Sequence, residues 1–329
     1  MPGNWNLLGH EWAVDMLKQH ITREAVRHAY LFAGPPGLGR RTLALRFAQA
    51  LNCTQPTEPG QPCGVCRDCK QIENMQHPDL SIVQAETEGG TLKVDQVREV
   101  RRALVLKPYQ AKYRVALFLR FQEASEGAAN ALLKTLEEAP EHAILILTVD
   151  NPEQLLPTIT SRCEILRLRP LPVDAVEAHL KSHGAEVESA HLIAHVSGGR
   201  PGYALHLLQD EVALEFRAER LADLAELLSA TRVQKFNYAE KLAKDKETMR
   251  QTLLVWLSYW RDVLLRVSGA SASLTNIDQE ESIASLAEKL TLESARCVVS
   301  DQEMALERLE RNVNSRLLAE VLLLDLPKI

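Results

Sequence analysis

Residues 34–42 of the chain, GPPGLGRRT, have the glycine spacing of a phosphate-binding loop but lack its two catalytic side chains. A working loop reads G-x-x-x-x-G-K-[ST]: backbone N–H groups hold phosphates, the lysine reaches the β- and γ-phosphates, and the hydroxyl ligates Mg²⁺. The retained glycines are Gly34, Gly37 and Gly39. Arg40 and Arg41 occupy the lysine and hydroxyl positions. Because a guanidinium cannot ligate a cation, the loop can offer Arg40 and backbone donors to an anion but lacks its Mg²⁺ ligand.

A second part of the expected nucleotide site also lacks its usual side chains. The apolar run Val115–Leu119 (VALFL) predicts a buried parallel strand. In a working ATPase such a strand ends in an aspartate that holds Mg²⁺, usually followed by a glutamate that activates water. Here the run ends in Leu119 and Arg120, and the next acid is Glu123. Losses on both sides of the metal site predict that ATP binding is doubtful and that the chemistry belongs to a partner. The alternative is a glycine-rich turn that never bound nucleotide.

Four of the six cysteines are clustered in the pattern C-x9-C-x2-C-x2-C. They are Cys53, Cys63, Cys66 and Cys69. In a reducing compartment this spacing favours metal binding over disulfides, and four thiolates suit tetrahedral zinc. No coordination position would stay open, so the pattern predicts a structural Zn²⁺ rather than a catalytic one; free thiols are the alternative. Cys163 and Cys297 are isolated and are expected to be buried apolar residues.

Length and composition indicate an ordinary globular protein. The chain has 329 residues, 46% hydrophobic and 25% charged, which is enough for two or three domains. Its net charge of −6 argues against a protein whose main role is to coat nucleic acid. The first ten residues do not resemble a secretory signal, and no apolar run approaches the length of a membrane span. We therefore expect a cytoplasmic protein.

The first half of the chain alternates apolar strand patterns with helical ones. Five runs predict strands: Tyr30–Ala33, Leu80–Val83, Val115–Leu119, Ile144–Thr148 and Ile165–Leu168. Helical patterns lie between them, including Arg41–Leu51, Val94–Leu104 and residues 128–140. This order predicts an α/β layer with a parallel sheet, followed from about residue 171 by an all-α region. In that region Thr252–Leu265 predicts a buried helix, and Met304–Leu326 predicts one final amphipathic helix.

Two segments resemble the AAA+ subunits of the bacterial replicative clamp loader. They are residues 128–140, AANALLKTLEEAP, and residues 156–171, LPTITSRCEILRLRPL. The cysteine pattern is similar to the zinc module of the same subunits, and His77-Pro78-Asp79 and Asn312-Val313-Asn314 are weaker matches. The resemblance implies a RecA-like domain over 1–170 with the zinc module at 53–69 inserted, a helical lid over 171–209, and a helical collar over 210–329 that joins the subunits of a ring.

Two types of subunit in this family share these motifs: the ATP-hydrolysing gamma/tau type and a stationary, non-hydrolysing type, the stator. Arg40, Arg41, Leu119 and Arg120 depart from the hydrolysing type, so the resemblance implies the stator. It is implied to act in a hetero-pentamer with gamma/tau and delta subunits, within the DNA polymerase III holoenzyme, and to reach the sliding clamp and primed DNA through that complex. An active ATPase of the gamma/tau type is the alternative. A free-standing zinc-dependent nucleic-acid binder is disfavoured by the acidic net charge.

Arg162 is the residue for which the resemblance implies a catalytic role. In the family, the motif Ser161-Arg162-Cys163 presents an arginine finger to ATP bound in the neighbouring subunit. An arginine supplied in this way stabilises charge on the phosphoryl group that is being transferred. The alternative is an arginine paired with a local acid such as Glu164.

Overall fold

The computed structural model describes residues 4–87, 89–310 and 313–327, and these fall into two compact units. The first unit contains the described residues up to Pro172 together with Arg200–Tyr203. The second contains Val173–Gly199 and the described residues from Ala204 onward. The chain passes into the second unit where the sequence pattern changes from alternating strand and helix to helix alone. The division of the later residues into a lid and a collar stays a prediction.

The first unit is built on a sheet of five strands. They are β1 (Ala29–Ala33), β2 (Leu80–Val83), β3 (Arg114–Phe118), β4 (Ala143–Val149) and β5 (Glu164–Arg167). Their order is β2-β3-β4-β1-β5, and every pairing is parallel. All residues of β1 and β4 are buried, as expected for strands covered on both faces. The predicted α/β layer with a parallel sheet is confirmed.

Six helices accompany this sheet. They are α1 (Glu11–Thr22), α2 (Arg40–Asn52), α3 (Arg67–Glu73), α4 (Val94–Val105), α5 (Glu126–Glu137) and α6 (Pro157–Thr160). Since alternate side chains of a strand point to opposite faces, Tyr30 and Phe32 of β1 pack with residues of α1 and α2. Leu31 and Ala33 pack with residues of α4 and α5 on the other face. The sheet therefore lies between two helical layers.

The second unit consists of helices and connecting loops, with no strand among its described residues. Its helices are α7 (Val173–Ser182), α8 (Val187–Val196), α9 (Pro201–Gln209), α10 (Glu211–Ser229), α11 (Arg232–Leu242), α12 (Lys246–Val267), α13 (Glu280–Lys289), α14 (Leu292–Glu310) and α15 (Ser315–Asp325). The first residues of α9 belong to the first unit. Trp256 and Trp260 of α12 are fully buried in the core of the second unit, as the sequence predicted for this helix. Within the described part of the chain, no helix is both long and apolar enough to cross a bilayer.

The prediction of one final helix over Met304–Leu326 is wrong. The structure has two helices here, because α14 ends at Glu310 and α15 begins at Ser315. The Asn314 side chain accepts hydrogen bonds from the backbone N–H groups of Arg316 and Leu317, each at 3.1 Å, and so caps the start of α15. Asn312, part of a weaker sequence match, lies outside the described residues.

A buried carboxylate ties the starts of the strands together. Asp79, just before β2, accepts hydrogen bonds from the backbone N–H groups of Tyr109, Gln110 and Ala111 at 2.7–3.0 Å. Arg114, the first residue of β3, adds an ion pair at 3.1 Å. Burial acts to raise the pKa of Asp79, but these hydrogen bonds and the Arg114 charge outweigh it and lower the pKa below its ordinary value. Asp79 therefore stays ionised inside the protein.

The hydrogen bonds of Asp79 continue through His77 to residues 53–69, the segment with the four clustered cysteines, which we call the cysteine loop. The Nδ1 atom of His77 accepts a hydrogen bond from the Asp79 N–H at 3.0 Å, so the ring proton is on Nε2. That nitrogen lies 3.3 Å from Oδ1 of Asp68, to which it donates. Asp68 belongs to α3 and lies between Cys66 and Cys69. The cysteine loop is thus linked by a buried polar chain to the edge of the sheet.

Replacing Asp79 should destabilise the first unit. We expect Asp79→Ala to reduce the free energy of unfolding by about 3 kcal/mol, since it leaves three backbone N–H groups without their acceptor and Arg114 without its anionic partner. The matched control is Asp95→Ala, which removes an exposed pair with Arg98 and should cost less than about 1 kcal/mol. Urea unfolding followed by circular dichroism measures both. Equal losses in the two variants would contradict the structural role of Asp79.

The contribution of ionised Asp79 should also appear in the pH dependence of the free energy of unfolding. The folded-state pKa of Asp79 lies below the ordinary value of 3.8. Its stabilising contribution is therefore present above that value and is lost as the pH falls through the lower folded pKa. Urea unfolding of wild type and Asp79→Ala between neutral pH and pH 3 should show the difference between them shrinking only at the acidic end. A difference that is smaller at neutral pH than at pH 5 would contradict this assignment.

Candidate functional site

The glycine-rich loop follows β1, the strand between β4 and β5, and ends where α2 begins. Gly34 has a φ of 143°, and a Cβ atom there would lie 2.6 Å from the backbone oxygen of Leu168. Gly39 has a φ of 88° and caps the start of α2 without a side chain. Only glycine adopts these conformations at little cost, so both positions require it. The chain therefore places the start of a long helix directly beside the carboxyl end of a central parallel strand.

The remaining glycine of the loop is covered by the segment that begins α9. The Gly37 carbonyl oxygen accepts a hydrogen bond from the Gly202 N–H at 2.8 Å. A Cβ atom on Gly37 would lie 2.9 Å from the backbone nitrogen of Tyr203. The two backbones are in contact here, which explains why residues 200–203 belong to the first unit. One face of the loop is therefore closed by the chain itself.

Arg40, in the position of the phosphate-binding lysine, is already paired. It is the first residue of α2 and only 8% exposed. Its Nη2 atom lies 2.7 Å from Oδ1 of Asp150, the residue that follows β4. The Nη1 atom is buried and has no hydrogen-bond partner among the described residues. A cation at the amino end of a helix is disfavoured by the helix dipole, and Asp150 offsets this charge.

The end of β3 has neither of the acids expected in an ATPase. Leu119 is 5% exposed and apolar. Arg120 adopts a left-handed conformation with φ 50°, which is uncommon outside glycine, and its N–H donates to Oγ1 of Thr148 at 2.9 Å. Its Nε atom donates to Glu123 at 2.8 Å, so the first acid after the strand is occupied by a neighbouring cation. Thr148 also donates to the Phe118 carbonyl, which makes its role here one of packing and backbone support.

Arg41 stands where a working nucleotide site has a hydroxyl that ligates Mg²⁺. It is exposed on α2, and its Nη2 atom lies 3.0 Å from the sulfur of Met75. Arg41 and Leu119 thus stand at the two positions from which protein ligands for Mg²⁺ are expected. Neither side chain can ligate a cation. The loop retains backbone donors at a helix amino terminus, the element that binds anions in many proteins.

The four clustered cysteines meet at one point. Their Sγ atoms all lie within 4.8 Å of one another. The separation is 3.6 Å between Cys53 and Cys63 and 4.0 Å between Cys53 and Cys66. In a tetrahedral site with Zn–S bonds of about 2.3 Å, the sulfurs are about 3.8 Å apart. The four thiols can therefore hold a metal ion, and their spacing is compatible with zinc.

Backbone N–H groups donate hydrogen bonds to three of these sulfurs, and the thiolate form is favoured at Cys66. The backbone N–H of Cys63 donates to the sulfur of Cys53, at 3.4 Å. In the same way the N–H of Cys66 donates to the sulfur of Cys63 and the N–H of Cys69 to the sulfur of Cys66, at 3.3 and 3.4 Å. Burial acts to raise the pKa of the Cys66 thiol, but the N–H of Cys69 and neighbouring side-chain donors outweigh it and lower the pKa to about 6. Cys66 also caps the start of α3, where the helix dipole favours a negative charge.

The two isolated cysteines differ from each other. Burial raises the pKa of the Cys163 thiol to about 12, as expected for an inert cysteine. The expectation that Cys297 is buried is wrong, because it lies on an exposed position of α14. Neither belongs to the four-cysteine group that could hold a metal ion.

Arg162 lies in the turn between α6 and β5 and is paired. Its Nη1 atom donates to the Thr158 carbonyl at 2.9 Å, and its Nη2 atom donates to the Glu137 carboxylate at 2.8 Å. The side chain is 36% exposed. Glu164, the local acid considered from the sequence, is instead the first residue of β5 and lies opposite Tyr30 in the sheet. The actual partner is the last residue of α5, which packing brings to this turn.

Sequence reasoning missed two residues that shape this site, Asp150 and Gly202. Asp150 follows the carboxyl end of β4, the strand beside β1. Because the carboxyl ends of parallel strands meet at one edge of a sheet, an acid at that place was a usable signal. The contact of Gly202 with Gly37 left no comparable signal, since it joins segments about 165 residues apart along the chain.

Comparison with known proteins identifies the family. The families described as "DNA polymerase III, delta subunit" and "DNA polymerase III, delta subunit, C terminal" match residues 9–172 and 213–328. The "DNA polymerase III subunit delta'" of Bacillus subtilis (strain 168) is 30% identical, over 95% of this chain and 94% of that protein. The "DNA polymerase III subunit tau" of the same organism is 31% identical, over 87% of this chain but only 54% of that protein.

Among solved structures, a "dna polymerase iii, gamma subunit-related protein" from Thermotoga maritima matches 94% of this chain and 97% of its own, with 16% identity and a TM-score of 0.42. The described parallel sheet and the helical region after it agree with the AAA+ fold that the sequence resemblance implied. From the family matches and the relative covered over nearly its whole length, the chain belongs to the delta-prime family of DNA polymerase III subunits, within the AAA+ clamp-loader proteins.

Proposed function

We propose that this chain is a non-hydrolysing delta-prime subunit, the stator of the replicative clamp loader. In this role it assembles with gamma/tau and delta subunits and helps to load the sliding clamp onto primed DNA. The observation that carries the proposal is the 2.7 Å ion pair between Arg40 and Asp150. The side chain in the position of the phosphate-binding lysine already has an anionic partner within its own chain.

Two further features support the absence of hydrolysis. Arg41 and Leu119 replace the expected Mg²⁺ ligands, and Arg120 replaces the acid that would activate water. The contact of Gly37 with Gly202 also covers one face of the loop. An active ATPase of the gamma/tau type is the alternative, and the identity to a tau subunit favours it. That alternative would require a Mg²⁺ site made without ligands at residues 41 and 119.

The position of Arg162 supports a role as an arginine finger for a neighbouring subunit. Because β1 and β5 are parallel, Arg162 lies at the amino edge of the sheet, whereas the loop after β1 lies at the carboxyl edge. The paired parts of these strands, Tyr30–Ala33 and Glu164–Arg167, extend for about 10 Å between the two edges. Arg162 is thus separated from its own chain's loop. β5 is also an outer strand of the sheet, so the turn before it is available to another protein.

We further propose that the four clustered cysteines hold a structural Zn²⁺. The four sulfurs make a closed ligand set, and they join the two ends of the loop over residues 53–69. Asp68 lies between two of these ligands and receives a hydrogen bond from His77. The metal would therefore hold α3 in the orientation that the buried network around Asp79 requires.

The purified chain should not hydrolyse ATP. We expect no turnover above a blank in a phosphate-release assay, because no described residue supplies the Mg²⁺ ligands at positions 41 and 119. Arg40→Lys alone should also remain inactive for the same reason. A gamma/tau subunit assayed in parallel is the positive control. Turnover that is abolished by Arg40→Ala would show that the loop is an active site and would favour the alternative.

Removing the Arg162 guanidinium should impair the assembled ring but not the free chain. We expect Arg162→Ala to fold and assemble normally and to reduce DNA-stimulated ATP hydrolysis and clamp loading. Fingers supplied by a partner are worth about 10³–10⁵ in rate in well-studied systems. The loss measured for the whole ring should be smaller, because only one ATP site would border this subunit. Arg162→Lys should rescue only in part, since an ammonium lacks the planar set of donors.

Full activity in a correctly assembled ring that carries Arg162→Ala would contradict the proposed role of Arg162 as an arginine finger. Arg167→Ala is the matched control, because Arg167 is an exposed arginine of the same strand region, paired with Glu153 at 2.7 Å. Size-exclusion chromatography of the ring establishes assembly before activity is compared.

Elemental analysis should find one zinc per chain. Cys66→Ser should lose the metal, because it removes a ligand from a closed four-sulfur site. Cys163→Ser is the matched control and should retain it, since Cys163 lies outside the cluster. If a variant with serine at all four cluster positions kept stoichiometric zinc, the ligand assignment would be wrong.

A further inference from the structure

Glu137 occupies a place that is unfavourable for an acid. It is the last residue of α5, and the negative end of a helix dipole disfavours a carboxylate there. The charge is offset by Arg162, whose Nη2 atom lies 2.8 Å from the Glu137 carboxylate. Violations of a local preference that are compensated by one specific partner are typical of functional sites.

The two contacts of Arg162 differ in what they fix. The Thr158 carbonyl belongs to α6, four residues before Arg162, so that bond only orients the guanidinium within its own turn. Glu137 belongs to α5, which is anchored beside the sheet by the buried side chains of Leu132 and Leu136. The bond to Glu137 is therefore the one that ties the guanidinium to the body of the first unit.

The pair also leaves donors available for a ligand. A guanidinium has five N–H donors, and the bonds to Thr158 and Glu137 use one on each Nη atom. Glu137 is 51% exposed, so solvent screens its charge and reduces the extent to which it cancels that of Arg162. The Arg162 side chain is thus held at two points, and its other N–H donors make no hydrogen bond to the described residues.

We propose that Glu137 is a positioning residue that holds Arg162 in the orientation needed to reach the ATP of a neighbouring subunit. This inference rests on the proposed role of Arg162. Holding a charged group in place before the reaction lowers the barrier because the cost of ordering it has already been met. Glu137 makes no contact with nucleotide and acts only through Arg162.

The test uses the assembled ring with Glu137→Ala, Glu137→Gln or Arg162→Ala in this subunit. The quantity measured is the Arg162-dependent part of DNA-stimulated ATP hydrolysis, the difference between the wild-type ring and the Arg162→Ala ring. We expect Glu137→Ala to reduce this part about two- to fivefold, the range that corresponds to an exposed ion pair. The loss should appear in kcat with KM unchanged, because ground-state binding of ATP is not altered.

Two comparisons separate positioning from general stability. Glu137→Gln keeps the shape and one oxygen acceptor, so it should fall between wild type and Glu137→Ala. Glu138→Ala removes the neighbouring exposed acid and should leave activity unchanged. Thermal melting of each free chain and chromatography of each ring should show that folding and assembly are retained. If Glu137→Ala disturbs either, the isosteric Glu137→Gln variant carries the test.

The double variant Glu137→Ala/Arg162→Ala gives the decisive result. If Glu137 acts through Arg162, the double variant should be no less active than Arg162→Ala alone. The inference is overturned if Arg162→Ala lowers activity while both Glu137 variants do not, or if the two losses add. Full activity in the Arg162→Ala ring would instead overturn the proposed finger, and with it the role of Glu137.

Discussion

The parallel pairing of β1 with both β4 and β5 is the constraint on which the rest of the first unit depends. It places the glycine-rich loop and Asp150 at one edge of the sheet and Arg162 at the other. The sheet thus separates the glycine-rich loop from the partly exposed Arg162. Antiparallel pairing of β5 would have brought Arg162 to the edge of its own loop, and a role toward a second subunit would lose its geometric basis.

The elements that could be predicted from sequence are those determined by local pattern. Mainly apolar runs identified all five strands, most clearly β1 and β4, which are buried on both faces, and the spacing of the cysteines identified the group that could hold a metal ion. The position of Asp150 after β4 was a usable signal for its pairing with Arg40, whereas the pairing of Arg162 with Glu137 left none, since it joins segments that only the folded chain brings together. The break before α15 was missed because the apolar pattern continues across it, and only the capping by Asn314 marks the new start.

The cysteine loop is more than an independent insertion. Asp68 of α3 accepts a hydrogen bond from His77, and His77 accepts one from the backbone N–H of Asp79. The Asp79 carboxylate in turn accepts hydrogen bonds from three backbone N–H groups and forms an ion pair with Arg114. Asp68, His77 and Asp79 are each hydrogen-bonded within this chain, and such paired buried groups add rigidity. The loop that carries the cysteines therefore shares its support with the first residues of β2 and β3.

The ion pair of Arg40 with Asp150 also has an evolutionary consequence under the proposed role. If Arg40 were replaced by lysine first, the lysine would still lie beside Asp150 and pair with it. If Asp150 were removed first, the positive charge of the buried Arg40 would lose its anionic partner. Restoring a hydroxyl at 41 or an acid at 119 would add a metal ligand to a site that still lacks the others. Under the proposed role, no single substitution would supply both Mg²⁺ ligands that are expected at residues 41 and 119. Under the proposed role, the Arg40–Asp150 pair therefore makes a return to hydrolysis depend on several substitutions together, so the specialisation of the subunit is preserved.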